Sequence, residues 1–79
     1  MRYEYRVCFS QEMRVTFANG AWQGQSPPDA QKAAESLMSC QHEWEYLNAV
    51  GAEGWELVAV VGGGGEAPTR YLYLRRGLP

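Results

Sequence analysis

The chain has 79 residues, of which 46% are hydrophobic, and a formal net charge of −2 at pH 7. At this length a chain forms one domain, residues 1–79, and buries only about 60% of its unfolded surface, so its core is marginal. Seven basic and nine acidic residues, with no block of like charge, give no electrostatic basis for binding nucleic acid or an anionic membrane. We therefore expect neither as a partner.

The cysteines and the apolar runs indicate a cytoplasmic protein. Cys8 and Cys40 are too few and too far apart for a metal site, and the opening MRYEYRVCFS is charged and alternating, unlike a signal peptide. The longest apolar run, LVAVV, is far shorter than the ~20 residues that cross a bilayer. We expect reduced thiols, a soluble protein, and neither a metal nor a cofactor.

The first segment with a clear period is RYEYRVCF, which predicts a strand. Its Tyr3, Tyr5, Val7 and Phe9 fall on one face, and its charged residues and Cys8 fall on the other. Residues 10–25 form a variable arm or loop. The Asn19-Gly20 pair suits a turn with positive φ and favours a short hairpin there, while a loop stays open as the alternative.

A helix start follows in SPPD. Ser26 suits the N-cap, Pro27 the first turn, and Asp29 adds negative charge near the helix N-terminus. Gly51 is placed to end the helix in a left-handed conformation. The apolar stripe between them recurs at spacings of three and four and contains Ala33, Leu37, Cys40, Trp44 and Leu47.

The length of this helix conflicts with the length of the strands. A helix from Pro27 to Val50 would run about 36 Å, whereas a seven-residue strand spans about 23 Å. We therefore expect either a break between Ser39 and His42 or packing of the first helical turns against another chain.

Two further strands are predicted in WELVAVV and TRYLYLRR, joined by a flexible hairpin connection at residues 62–68. Trp55, Leu57, Ala59 and Val61 are expected on one face of the earlier strand. The fold class is α+β, in the order β-(arm)-α-β-β. One long or broken helix packs on one face of a three-stranded antiparallel sheet, or of a four- to five-stranded sheet if the arm adds a hairpin. The first strand should pair beside the last one.

No group of residues nominates a catalytic centre. His42, the only histidine, fits an exposed helical position, and no serine or cysteine has an evident base beside it. The glycines at 62–65 lack the Lys and Ser/Thr that a phosphate loop needs. We therefore predict no catalytic residue, no metal site and no enzyme activity.

The segment GAEGWELVAVV predicts a hinge between helix and sheet. Gly54 supplies a backbone bend, and Trp55 is expected to plug the core against Trp44 and Leu47. The residues of this structural signature are Trp44, Leu47, Gly51, Gly54, Trp55 and Leu57.

With YEYRV at its start, LNAVGAEGWELVAV in its middle and YLYLRR near its end, the chain resembles the small bacterial and phage family known as domain of unknown function 4177. The resemblance covers residues 2–9 and 43–76. It implies a strand-helix-strand-strand domain and no established activity. Residues 10–42 are longer than the connection and helix expected of that family.

Three hypotheses for function follow. The first is a non-enzymatic domain that acts by homo-oligomerisation or protein interaction, because unpaired strand edges and a marginal core favour association. The second is a small-ligand or nucleotide-binding protein that uses the sheet aromatics and arginines, with residues 62–65 as a lid. The third, an enzyme, is the least favoured. The candidate ligand-binding residues are Trp22, Arg70, Tyr71, Tyr73 and Arg75.

Overall fold

The computed structural model describes residues 1–62 and 68–79, which contain five strands and two short α-helices. The connection predicted at residues 62–68, with its proposed lid, lies outside the described residues apart from its two ends. The strands are β1 (Arg2–Gln11), β2 (Arg14–Ala18), β3 (Ala21–Trp22), β4 (Glu56–Gly62) and β5 (Thr69–Leu78), and the helices are α1 (Ala33–Met38) and α2 (Glu43–Gly51). In the part of the chain that is described, no helix has the length and apolar character needed to span a membrane.

Two tight turns shape the first half of the chain. Asn19 and Gly20 both have positive φ, 48° and 81°, and join β2 to β3, so the predicted hairpin is confirmed and the loop alternative is wrong. Glu12 and Met13, at 51° and 66°, make a similar turn between β1 and β2. That turn was not predicted, because neither residue type favours positive φ.

All strands are antiparallel and lie in the order β3-β2-β1-β5-β4. The prediction that the first strand pairs beside the last is confirmed, since β1 and β5 pair along their whole lengths from Arg2↔Leu78 to Gln11↔Thr69. A shift in register between Leu57 and Ala59 bulges β4 at Val58. The bulge turns Ala59 onto the opposite face from Leu57, so the predicted shared face of β4 is wrong.

The two edges of the sheet differ. Beyond β2, one half of the edge is covered by β3 and the other half by the segment before α2, where the amide of Val15 donates to the carbonyl of Gln41 at 3.0 Å. The guanidinium of Arg14 fastens the same segment through the carbonyl of Cys40 at 2.7 Å. Beyond β4, the described residues place no further strand.

The continuous helix from Pro27 to Val50 is wrong, and the alternative of a break between Ser39 and His42 agrees with the structure. α1 ends at Met38 and α2 begins at Glu43, because the backbone between them bonds to β2 instead of continuing the helix. Glu45 restarts the helix by accepting from the amide of His42 at 3.1 Å.

The helix start also differs from the prediction. A 3-10 turn (Ala30–Lys32) precedes α1, and Asp29 rather than Ser26 is its N-cap. The Oδ1 atom of Asp29 accepts from the amide of Gln31 at 2.9 Å. The start therefore lies three residues later than predicted.

The core lies between α2 and one face of the sheet. Tyr46 and Val50 of α2 are four residues apart and so lie on one helical face, with Leu47 half-buried beside them. The buried cluster contains Cys8, Val15, Ala18, Tyr46, Val50, Trp55, Leu72 and Leu74. Trp44 is 65% exposed. The prediction that Trp44 packs against Trp55 is wrong, because Trp44 lies off the face of α2 that carries Tyr46 and Val50.

Trp55 is buried as predicted, but its neighbours are cations. The guanidinium carbons of Arg6 and Arg76 lie 4.4 and 4.6 Å from the indole ring. The charged side chains of β1 and β5 thus contribute to the core by stacking on an aromatic ring. Leu57, another residue of the signature, is 42% exposed and lies outside the core.

The two glycines of the hinge have different roles, and the predicted left-handed cap at Gly51 is wrong. Gly54 has φ +98° and takes that conformation, while Gly51 is the last residue of α2. A Cβ on Gly51 would meet no described atom within 4 Å.

We expect opposite effects when each of these glycines is replaced by alanine. Gly54→Ala should lower the free energy of unfolding by about 1–2 kcal/mol, because an L-residue is strained at positive φ. Gly51→Ala should raise it by about 0.5 kcal/mol, because alanine favours the helix. Urea titrations followed by circular dichroism measure both, and equal effects of the two variants would contradict the assignment.

Candidate functional site

The face of the sheet opposite α2 is exposed along β1, β5 and β4, and we call it the open face. It is defined by the register, because directly paired residues point to the same side. Phe9 pairs with Tyr71, Val7 with Tyr73, and Val61 of β4 continues the row beyond Tyr71. Phe9 and Tyr71 stack with ring centroids 5.0 Å apart. The open face is therefore a continuous apolar and aromatic surface.

Every residue of β4 is exposed, and the strand carries apolar side chains on both faces of the sheet. Ala59 and Val61 continue the open face, whereas Leu57 and Val60 pair with Leu74 and Leu72 and so lie on the side of α2. Leu57, Val58, Val60 and Val61 are each 42–50% exposed, although all four are apolar. No charged side chain interrupts the run from Leu57 to Val61. An edge strand of this composition is a template for pairing with another chain.

Three of the predicted ligand-binding residues do come together on the open face. Tyr71 and Tyr73 are 38% and 37% exposed there, and Arg75 lies on the same side because it pairs with Tyr5. Arg75 is already engaged, since its guanidinium stacks on Tyr3 at 4.5 Å and forms an ion pair with the carboxylate of Glu56.

Arg70 lies on the other face, away from the tyrosines. Its Nε donates to Oε2 of Glu43 at 2.8 Å, its Nη2 bonds to the other carboxylate oxygen, and Ser10 donates to the same carboxylate. The hydrogen bonds from Arg70 lower the pKa of Glu43, with burial opposing them and the Ser10 hydroxyl adding to them. Glu43 is buried, and Arg70 is partly exposed but bonded to both carboxylate oxygens, so the pair offers no free charge to a ligand.

Trp22 is separated from the other predicted residues by most of the sheet. It belongs to β3, at the opposite edge from β4, and contacts Phe17 with ring centroids 5.4 Å apart. The five predicted ligand-binding residues therefore do not form one site. Tyr71, Tyr73 and Arg75 lie together on the open face, and Arg70 pairs with Glu43 on the other face. Trp22 is on the same side as Tyr71, because it pairs with Phe17, but it is three strands away and lines a separate cleft.

The two cysteine thiols and the hydroxyl of Tyr46 have raised pKa values. Burial raises the pKa of the Cys8 thiol, and burial also raises that of Cys40, so both are protonated at neutral pH. Tyr46 accepts a hydrogen bond from Arg6 at 2.8 Å, and burial is the first cause that raises its pKa to about 12. Within residues 1–62 and 68–79, no three His, Cys, Asp or Glu side chains are grouped for a metal ion.

Comparison of the chain with protein-family models, with curated proteins and with solved structures found no match in any of the three. The resemblance to domain of unknown function 4177 therefore stays a prediction.

Proposed function

We propose that this chain is a non-enzymatic domain that acts by self-association, with a second copy pairing along the exposed edge of β4. The observation that carries the proposal is the exposure of all seven residues of β4, including four large apolar side chains. A chain that adds to this edge bonds to its free backbone groups and also reduces the contact of the apolar side chains on both faces with water.

The contrast between the two sheet edges supports this choice of surface. Proteins protect edge strands with charges, prolines, bulges or covering segments. The β2 edge is covered by β3 and by the backbone at Gln41. In the described residues the β4 edge carries the charge of Glu56 at its start and the bulge at Val58, beyond which residues 59–62 pair regularly with β5. Those residues are therefore the part of β4 available to a regular antiparallel partner.

A second copy fits this edge better than an unrelated chain does. A two-fold axis through β4 brings the same apolar residues of both copies together, with Tyr71 and Tyr73 of the open face beside them. A small domain with a marginal core gains the burial that it lacks. The edge carries no charge between Leu57 and Val61 that would repel an identical strand.

Substituting Val60 with lysine tests the edge. Val60 lies in the middle of the regular stretch and is 48% exposed, so the change leaves the core of one chain intact. We expect light scattering at micromolar concentration to give a mass above the 8.9 kDa of one chain for the natural sequence and 8.9 kDa for Val60→Lys.

Met38→Lys is the matched control, because Met38 is also an exposed apolar residue, at 69%, but lies on α1. It should keep the larger mass. A mass of one chain for the natural sequence would overturn the proposal, and equal loss of association in both lysine variants would remove β4 from it.

The alternative, binding of a small ligand or nucleotide by the sheet aromatics and arginines, has weaker support. Arg75 is paired with Glu56, Arg70 is bound to Glu43 on the opposite face, and neither presents a free cation beside Tyr71.

A further inference from the structure

A cleft lies between the β2–β3 end of the sheet and α1, at the edge opposite to β4. Its volume of about 320 Å³ is at the small end of the range for ligand pockets. Its walls are formed by Gln11, Thr16, Trp22, Pro28, Asp29, Ala30, Ala33, Ser36 and Leu37. The lining is mostly apolar, with one aromatic ring and one carboxylate.

The aromatic wall is held in place from three sides. The indole Nε1 of Trp22 donates to the carbonyl of Ser26 at 2.7 Å, and the ring of Phe17 meets it at a steep angle. Gly24 lies directly against the indole, since a Cβ there would approach within 2.5 Å of it. A ring fixed in this way loses little conformational entropy when a ligand stacks on it.

The opposite wall carries the charge. Ser36 holds the chain before α1 in position by donating to the carbonyl of Pro27 and accepting from the amide of Asp29, both at 3.1 Å. Asp29 uses Oδ1 to accept from the amide of Gln31. Among the described residues Asp29 forms no ion pair, and no Lys or Arg lines the cleft.

A polar acceptor completes the lining. The Nε2 of Gln11 donates to the hydroxyl of Thr16 at 2.8 Å, and that hydroxyl donates in turn to the carbonyl of Phe9 at 3.1 Å. These two bonds fix the orientation of the Gln11 amide and leave its carbonyl oxygen as an acceptor. The cleft thus offers oxygen acceptors and a carboxylate to a ligand that carries N–H donors.

We propose that this cleft binds a small organic cation, with its flat or apolar part on the indole of Trp22 and its charged N–H groups at the carboxylate of Asp29. An indole face attracts cations, and a carboxylate forms its strongest hydrogen bonds with charged donors. An anion would meet Asp29 without any basic partner. The cleft and β4 are at opposite edges of the sheet, so this binding is independent of the proposed self-association.

Benzamidine, a planar cation with an apolar ring, is a suitable probe, with benzoate of the same shape and opposite charge beside it. We expect a nuclear magnetic resonance titration with benzamidine to shift the amides of residues 29–37 and the indole N–H of Trp22. Benzoate should leave them unchanged. Benzoate binding as tightly as benzamidine, or benzamidine shifts located on the open face instead, would overturn the proposal.

Asp29→Asn removes the charge and keeps a side-chain oxygen to cap the amide of Gln31. We expect it to weaken benzamidine binding about fivefold, as the loss of one exposed ion pair allows. Glu35→Gln is the matched control, because Glu35 is an exposed acid of α1 that does not line the cleft. It should bind like the natural sequence.

Trp22→Leu gives a second measurement if the Asn variant does not fold. It should also weaken binding about fivefold through loss of the aromatic face. The assignment would be overturned if Asp29→Asn and Trp22→Leu bound benzamidine as tightly as the natural sequence does. It would also be overturned if Glu35→Gln weakened benzamidine binding as much as they do.

Discussion

Replacing Trp55 with alanine is expected to lower the free energy of unfolding by about 3–5 kcal/mol, which is close to all the stability that a domain of this size has. Trp55 is 7% exposed and joins the buried cluster of α2 and the sheet. Its removal leaves a cavity and also takes the stacking surface away from Arg6 and Arg76. Circular dichroism during urea titration should show an unfolded or barely folded variant.

Trp44→Ala provides the comparison for the same residue type. Because Trp44 is 65% exposed, we expect its replacement to change the free energy of unfolding by no more than about 0.5 kcal/mol. Trp55→Phe should retain most of the stability, since the indole N–H of Trp55 has no hydrogen-bond partner among the described residues. Equal destabilisation by the two alanine variants would contradict the burial on which this prediction rests.

The second large effect is expected at Glu43. Glu43→Gln should cost about 1.5–3 kcal/mol at pH 7, because the neutral amide no longer balances the guanidinium of Arg70 in a buried site. Arg70 is 38% exposed, which places the effect below that of a fully buried pair. Chemical denaturation with the two proteins in parallel measures the difference.

The pH dependence gives this prediction a second readout. Arg70 holds the pKa of folded Glu43 below its ordinary value of 4.5. The unfolded chain therefore takes up a proton at higher pH than the folded chain does, and the stabilisation by Glu43 is complete above pH 4.5. The difference between natural and Glu43→Gln protein should shrink as the pH falls through the lowered pKa.

Glu56→Gln is the control for the stability measurements on Glu43→Gln at neutral and acidic pH. Glu56 also pairs with an arginine, Arg75, but both side chains are substantially exposed. We expect its loss to cost less than about 1 kcal/mol. An acid response of the same size in both glutamine variants would show that burial of Glu43 is not its source.

Much of the sheet was predictable from local pattern. The alternation of β1 and β5 defines two strands, and Asn19-Gly20 identifies a turn because few residue pairs accept two positive φ angles. The side of the sheet that the helix covers was not predictable. Both faces of β5 are apolar, with Leu72 and Leu74 on one and tyrosines on the other, so a period of two gives no preference.

The break in the helix depends on contacts between distant residues. The stripe from Ala33 to Leu47 keeps a helical period across the break, so periodicity alone favours one helix. The carbonyls of Cys40 and Gln41 instead bond to β2, more than 20 positions earlier. No local signal in the sequence reports that contact.

The candidate sites were also predictable only in part. Strand alternation alone places Arg70 and Tyr71 on opposite faces, so their separation was visible in the sequence. The cleft beside Trp22 was not, because it is formed by a 3-10 turn and a two-residue strand that carry little pattern.

The unequal edges of the sheet limit how far association can proceed. A sheet with two unguarded edges can add copies at both ends and grow into a fibre. Here the outer side of β2 is occupied by the chain's own backbone. Pairing of β4 with β4 would consume the apolar edge of each copy in the described structure. The other unpaired stretch is the part of β1 that extends past β2, residues 2–6, and it carries Arg2, Glu4 and Arg6. Charged side chains on an edge strand oppose pairing with another chain. Association through β4 would therefore end when one partner has bound, and the expected assembly is a dimer and not a polymer.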